Sequence, residues 1–189
     1  MTPVTRLHFT GDQDADEFLA RDPLALLLGM LLDQQVPMEW AFRSPAVLRD
    51  RLGTKGLDAG RIAALDPERL VEVFSEKPAL HRYPGSMAKR AHALCEYLVE
   101  HHGGRADAVW ADAGSGKELF DRLVALPGFG KEKAKIFVAI LGRFLGVQPD
   151  GWTDYQATWP SIADADGPGA IEKIREAKAA WKASGKKKV

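Results

Sequence analysis

Residues 126–136 read Leu-Pro-Gly-Phe-Gly-Lys-Glu-Lys-Ala-Lys-Ile, and Asp150 stands 20 residues after Gly130, directly behind Pro149. Gly128 and Gly130 set a tight turn between two helical patterns. The pattern before it, from about Lys117 to Ala125, shows apolar residues at Phe120, Leu123 and Val124. The pattern after it runs from Lys131 to about Leu145. Glycine adopts positive φ without steric cost, so such a turn can present bare backbone N–H groups. The second helix begins there, and its unpaired N–H groups and positive dipole end face the same way. Lys131, Lys133 and Lys135 crowd that helix start. Lysines oppose the dipole at an N-terminus, so a bound phosphate would explain them.

Outward from this turn, every element reads as helix. Asp22-Pro23 is an N-cap followed by a first-turn proline. The stretch Leu24 to about Gln35 is apolar on nearly all sides and reads as a buried central helix. A short helix over about Met38–Phe42 is expected to stop before Ser44-Pro45, where another starts and runs to Leu52. Asp58 and Asp66-Pro67 cap two short helices. Met87, Ala88, Ala91, Leu94, Cys95 and Leu98 recur at helical spacing behind Pro84, and His101-His102-Gly103-Gly104 ends that helix. A short helix is expected around Ala106–Ala111, irregular chain after Asp150, and a last helix from Pro168 to about Ser184. No stretch alternates with period two, so the expected class is all-α.

With 189 residues and 46% apolar content the chain can build one domain with a real core. The single cysteine, Cys95, excludes an internal disulfide and a cysteine-held cluster, and reads as a small core residue. No apolar run reaches bilayer length, and no secretory signal pattern opens the chain. The expected setting is cytoplasmic and nucleoid-associated, with no membrane partner and a monomeric state. Net charge is zero, with an acidic N-terminal stretch, a basic hairpin helix and a lysine-rich C-terminus. A local basic face suffices for phosphate contacts; a solvated helix end explains the C-terminal lysines equally well. No histidine spacing suggests a metal site.

The Leu126-Pro127-Gly128-Phe129-Gly130 turn, the helix from Lys131, the loop Gly146-Val147-Gln148-Pro149 and Asp150 together resemble the helix-hairpin-helix (HhH-GPD) superfamily of DNA glycosylases. That resemblance spans roughly residues 22–155. It implies a single two-lobed helical domain over 1–189 with a DNA-binding cleft between the lobes. Lobe one would hold about 23–125; lobe two would hold 1–22 and 126–189. It also implies double-stranded DNA as partner, no required cofactor, no iron–sulfur cluster, and room for a monovalent cation on the hairpin carbonyls.

Asp150 is the expected catalytic residue. Breaking an N-glycosidic bond builds positive charge on the sugar, which a fixed carboxylate stabilises while orienting a water. Taken alone, an Asp before Gly more often caps a turn. Glu132 occupies the slot where the bifunctional branch of the family carries a Schiff-base lysine, and a carboxylate cannot form an imine. The neighbouring lysines point about 100° away on the helix. The expected chemistry is therefore monofunctional: base release by water, without strand cleavage. Glu132 is weighed as a water-polarising group and as a neutraliser of its lysine neighbours. Gln34 and Gln35 match the family element that fills the gap left by an extruded base; capping the turn before Pro37 is their plain alternative. Gly128, Gly130, Lys131 and Lys133 would hold backbone phosphate, a contact that positions without reading sequence. Trp152, Tyr155 and Trp40 are the candidate walls of a base pocket. Labile leaving groups, alkylated or deaminated purines, suit a site with no evident general acid. A non-catalytic helix-hairpin-helix DNA-binding or damage-recognition protein is the alternative.

Overall fold

The computed structural model describes residues 4–189. Among them lie nine α-helices and no strand: α1 (Gln13–Arg21), α2 (Pro23–Leu32), α3 (Met38–Leu52), α4 (Ala59–Ala64), α5 (Pro67–Ser75), α6 (Pro84–His102), α7 (Gly116–Val124), α8 (Lys131–Phe144) and α9 (Ala170–Ala183). The all-α expectation therefore stands.

Local chemistry starts most of these helices. The side chains of Asp12, Asp22, Asp58, Asp66 and Ser115 each accept a first-turn backbone N–H. Each such cap contributes about 1 kcal/mol. Asp22 holds two segments at once: Oδ1 accepts from Ala25 N at 2.9 Å and Oδ2 from Leu57 N at 2.9 Å. Left-handed glycines end α3 and α6, Gly53 at φ 68° and Gly103 at φ 60°, conformations a Cβ disfavours.

The middle of the fold is α2, whose residues Leu24 through Leu32 are all buried. It packs against α1, α3, α6 and α8. Helices α4 and α5 lie on α6, and α3 touches α5, so these four form one contact group. In a second group α7 pairs with α8, which carries the 3₁₀ turns Trp152–Tyr155 and Ile162–Asp164. Close approach of α3 needs Gly29, since a Cβ there would lie 2.5 Å from the Phe42 ring. The N-terminal segment bridges the groups: Phe9 stacks edge-on against Phe42 of α3 at 5.1 Å and Phe144 of α8 at 5.7 Å. Cys95 is fully buried in α6, and burial pushes its thiol pKa up to about 12, so it is an unreactive core residue.

Several boundaries differ from the sequence expectation. Met38–Leu52 is one helix, with Pro45 inside it. The missing proline N–H is tolerated because Ser44 Oγ lies 2.9 Å from Trp40 O and 2.6 Å from Leu80 O, tying the weakened turn to the α5–α6 loop. Helix α1 was not expected; its polar surface hides a buried stripe of Ala15, Phe18 and Leu19. The expected helix near 106–111 shrinks to a 3₁₀ turn over Asp107–Val109. Helix α9 starts at Ala170, behind a left-handed Gly169. Helix α2 stops at Leu32 rather than Gln35, for reasons that define the site below.

Candidate functional site

The hairpin turn between α7 and α8 has the glycine chemistry its sequence demands. Gly128 sits at φ 81°. A Cβ on it would also strike the Leu31 side chain, so α2 presses directly on the turn. Gly130 is the N-cap of α8 in extended conformation, and no side chain caps that end. The first-turn N–H groups of α8 are thus left for an external acceptor. Lys131 and Glu132 are exposed there, whereas Lys133 is half-buried.

Opposite the hairpin, α2 ends in a knot of side-chain bonds. Asp33 leaves helical geometry at ψ 68°, and Gln34 N turns back to Leu32 O at 2.8 Å. Lys133 Nζ donates to Leu31 O at 2.5 Å and to Gln34 Oε1 at 3.0 Å. His81 Nε2 lies 3.1 Å from both Leu32 O and Gln34 O, while its Nδ1 accepts from Tyr83 N at 3.0 Å. The Nδ1 acceptor role assigns the ring proton to Nε2. Burial lowers the His81 pKa, which keeps the ring neutral in this arrangement. The last carbonyls of α2 are therefore met by side chains from α8 and from the loop before α6, which is why the helix cannot continue to Gln35. Gln35 itself is exposed at φ 58°, the one non-glycine residue at positive φ among the described residues. A strained, exposed side chain held by its surroundings is a feature of binding sites.

These two ends adjoin, and both line a cleft of about 670 Å³. Asp33, Gln34 and Gln35 line one side, Glu132 and Lys133 the other, and Trp159 and Trp181 close it from the C-terminal part of the chain. Its rim is basic. Lys188 lies over the Trp159 ring at 5.6 Å and pairs with Glu132 at 2.7 Å; Lys186 lies over the Trp181 ring at 5.4 Å. Burial pushes the Asp33 carboxyl above its ordinary pKa, against the pull of Lys178 and Lys133. Burial likewise lowers the Lys133 ammonium to about 8, against the pull of Asp33. A partly desolvated carboxylate and ammonium facing one cavity is the strongest electrostatic feature near the hairpin.

The remaining expected residues are not brought here. Asp150 is exposed and pairs its backbone with the start of α7, Gly116 N donating to Asp150 O at 2.7 Å. Trp152, two residues on, packs against Gly142 near the C-terminal end of α8. Gly142 lies nine residues beyond Lys133, about 14 Å along the helix axis, and Asp150 is not among the residues that line the cleft. Trp152 and Tyr155 are walls of the α7–α8 pair instead, Tyr155 resting on Phe120 at 5.5 Å. Trp40 stacks on His81 at 6.4 Å and supports the α2 knot rather than lining the cavity. The aromatics of the cleft are Trp159 and Trp181, and its carboxylates are Asp33 and Glu132, the latter paired with Lys188. Sequence reasoning missed Asp33, Trp181 and His81. Helix-end carbonyls signal that donors must come from somewhere, but not from which distant segment.

Among the described residues no group of three His, Cys, Asp or Glu gathers as metal ligands, and no helix is long and apolar enough to cross a membrane. No family model, no curated protein and no solved structure matches the chain.

Proposed function

We propose that the chain is a monofunctional helix-hairpin-helix DNA glycosylase that works in the cleft between the end of α2 and the start of α8. The observation that carries this reading is that the first turn of α8, directly behind the hairpin, and the Gln34–Gln35 turn line one cavity rimmed by lysines. The open N-terminus of α8 with Lys131 would hold a backbone phosphate. Gln35, exposed and fixed at φ 58°, would enter the duplex where a base has left the stack. The extruded base would stack on Trp159 or Trp181, a contact of about 1–3 kcal/mol that tolerates different bases.

In this reading Asp33 takes the role the sequence suggested for Asp150. Of the cleft's two carboxylates it is the one not paired with a lysine at its rim, since Glu132 is held by Lys188, and it would face positive charge developing on the sugar. Lys133 acts by position, since its protons go to Leu31 O and Gln34 Oε1. Water is then the nucleophile, and strand cleavage through an imine is not expected. Alkylated purines already carry positive charge and leave with little protonation, so they rank first as substrates, ahead of deaminated purines.

The exposed position of Asp150 favours a second reading: a damage-binding protein on this framework without turnover. Labelled duplexes carrying alkyladenine, hypoxanthine or uracil separate the two. The expected result is alkali-dependent breakage that disappears in Asp33→Asn and persists in Asp150→Asn. Loss in Asp150→Asn alone would move the chemistry out of the cleft. Intact duplexes throughout, with binding that weakens steeply as salt rises, would establish the non-catalytic reading.

A further inference from the structure

Behind α9 the chain does not run on into solvent. The helix closes at Ser184, and Gly185 turns the backbone through left-handed geometry at φ 70°. Ser184 Oγ donates to Trp181 O at 2.6 Å and accepts from Lys186 N at 3.4 Å, which fixes the turn. Residues 186–189 then lead, without helix, to the start of α8.

Two ties hold this segment to α8. Lys188 Nζ donates to Glu132 Oε2 at 2.7 Å, and Lys135 Nζ donates to Val189 O. Two more hold it to the aromatics of the cleft. The Lys188 ammonium lies over the Trp159 ring, 5.6 Å from its centroid, and the Lys186 ammonium over the Trp181 ring at 5.4 Å. Lys186 and Lys188 line the cleft, whereas Lys187 between them does not, the alternation of an extended chain. Charge alone would drive a lysine segment away, because Lys133, Lys178 and Lys182 already line this cavity. The two indole contacts and the Glu132 pair therefore bring it back.

These contacts fall on the surfaces that a duplex would use. One face of an indole cannot hold both an ammonium and a stacked base. Glu132 stands in the first turn of α8, beside the N–H groups that would receive a backbone phosphate. We propose that residues 185–189 are an autoinhibitory strap: in the free protein they close the cleft over Trp159 and Trp181, and a DNA duplex displaces them to seat a base there. The strap stands on its own contacts; that DNA displaces it rests on the function proposed above. At exposed sites each such contact contributes a factor of about two to five, and a protein whose open form is the minor one has its affinity reduced by the open fraction. Release of the strap should tighten duplex binding about three- to tenfold. A segment that only attracts phosphate has the opposite effect when its lysines are removed.

The test uses the full chain labelled with 5-fluorotryptophan, its five resonances assigned by single Trp→Phe changes. Gly185→Val keeps every charge but places a β-branched residue at positive φ, which redirects the strap; no atom lies within 4 Å of a Cβ there, so the fold is untouched. Lys186→Ala with Lys188→Ala removes the contacts instead, and Lys187→Ala removes one charge that lines nothing. The first two variants should shift the Trp159 and Trp181 fluorine resonances and enlarge their solvent isotope effect, leaving Trp40, Trp110 and Trp152 in place, while Lys187→Ala moves none. Unmoved resonances in Gly185→Val and in the double variant would overturn the strap. With a duplex carrying one alkyladenine, Gly185→Val should bind about three- to tenfold tighter than wild type. Shifted resonances with equal or weaker binding would overturn autoinhibition and make the lysines ordinary phosphate contacts. Shifted resonances with no duplex binding by any form, wild type included, would overturn the DNA reading of the cleft and with it the displacement by DNA, and leave the strap established.

Discussion

Replacing Lys133 by methionine probes the charge at the centre of the cleft. Burial lowers the Lys133 pKa from its ordinary 10.5 to about 8 in the folded protein. Between those values the unfolded chain holds a proton that the folded chain has released, so wild-type stability rises with pH through this window. Below about pH 8 both states are protonated and this contribution is flat. Integrated between about pH 7.5 and 9.5, the gain is about 2 kcal/mol. Lys133→Met has no such group, so the difference in unfolding free energy between the two proteins should change by that amount in favour of wild type as pH rises. At neutral pH two effects oppose. Methionine removes a desolvated charge, but it leaves Leu31 O and Gln34 Oε1 without their donor, a cost of about 1–3 kcal/mol for the buried carbonyl. Urea titrations of both proteins at about four pH values give the slopes, and NMR of side-chain-labelled lysine gives the midpoint directly. Parallel stability curves, or a Lys133 midpoint near the ordinary lysine value, would refute the assignment of a desolvated ammonium in the cleft.

Asp22→Ala removes acceptors from both Ala25 N and Leu57 N and is expected to cost about 2 kcal/mol in urea unfolding; a loss under about 0.5 kcal/mol would show that water replaces the carboxylate. Gly128→Ala forces a Cβ onto a residue at φ 81° and into Leu31. A stability loss of more than about 1 kcal/mol should accompany weaker duplex binding, and unchanged binding with unchanged stability would count against the hairpin geometry. For His81, burial places the folded pKa below the ordinary 6.5. The neutral ring therefore contributes stability that is complete above pH 6.5 and is lost as pH falls through the lowered folded value. His81→Ala should flatten that acid limb, and an unaltered limb would remove His81 from the α2 knot. Borohydride added during reaction with lesion duplexes should trap no protein–DNA adduct; a covalent band that disappears in Lys133→Met would make Lys133 a nucleophile and end the monofunctional reading.

The parts legible in the chain are those decided by neighbours in sequence. Asp22-Pro23, Asp58 and Asp66-Pro67 cap helices through bonds that span two or three residues. Gly128 and Gly130 shape the hairpin within five residues, and the unbroken apolar stretch behind Pro23 can only be buried. These interactions are complete before any distant segment arrives, so composition and spacing determine them. The continuity of α3 through Pro45 was not legible, because it depends on Leu80 O accepting from Ser44 across the fold.

Tertiary structure alone decided the membership of the cleft. Lys133, His81 and the end of α2 are separated by up to about a hundred residues, and they meet because Leu31 packs on Gly128. Trp159 and Trp181 arrive from a segment whose path after Asp150 no periodicity describes. Asp150 shows the same limit from the other side. Its 20-residue spacing from Gly130 is plain in the sequence, but most of that spacing is a rigid helix that leads the chain away from the first turn of α8, and Asp150 is not among the residues that line the cleft. The sequence by itself determined the helical class, the caps at Asp22, Asp58 and Asp66 and the hairpin, because short-range bonds and burial suffice for these. Which side chains share a cavity was left to the packing of α2 between the two helix groups, since burial is non-directional and only close packing selects the neighbours.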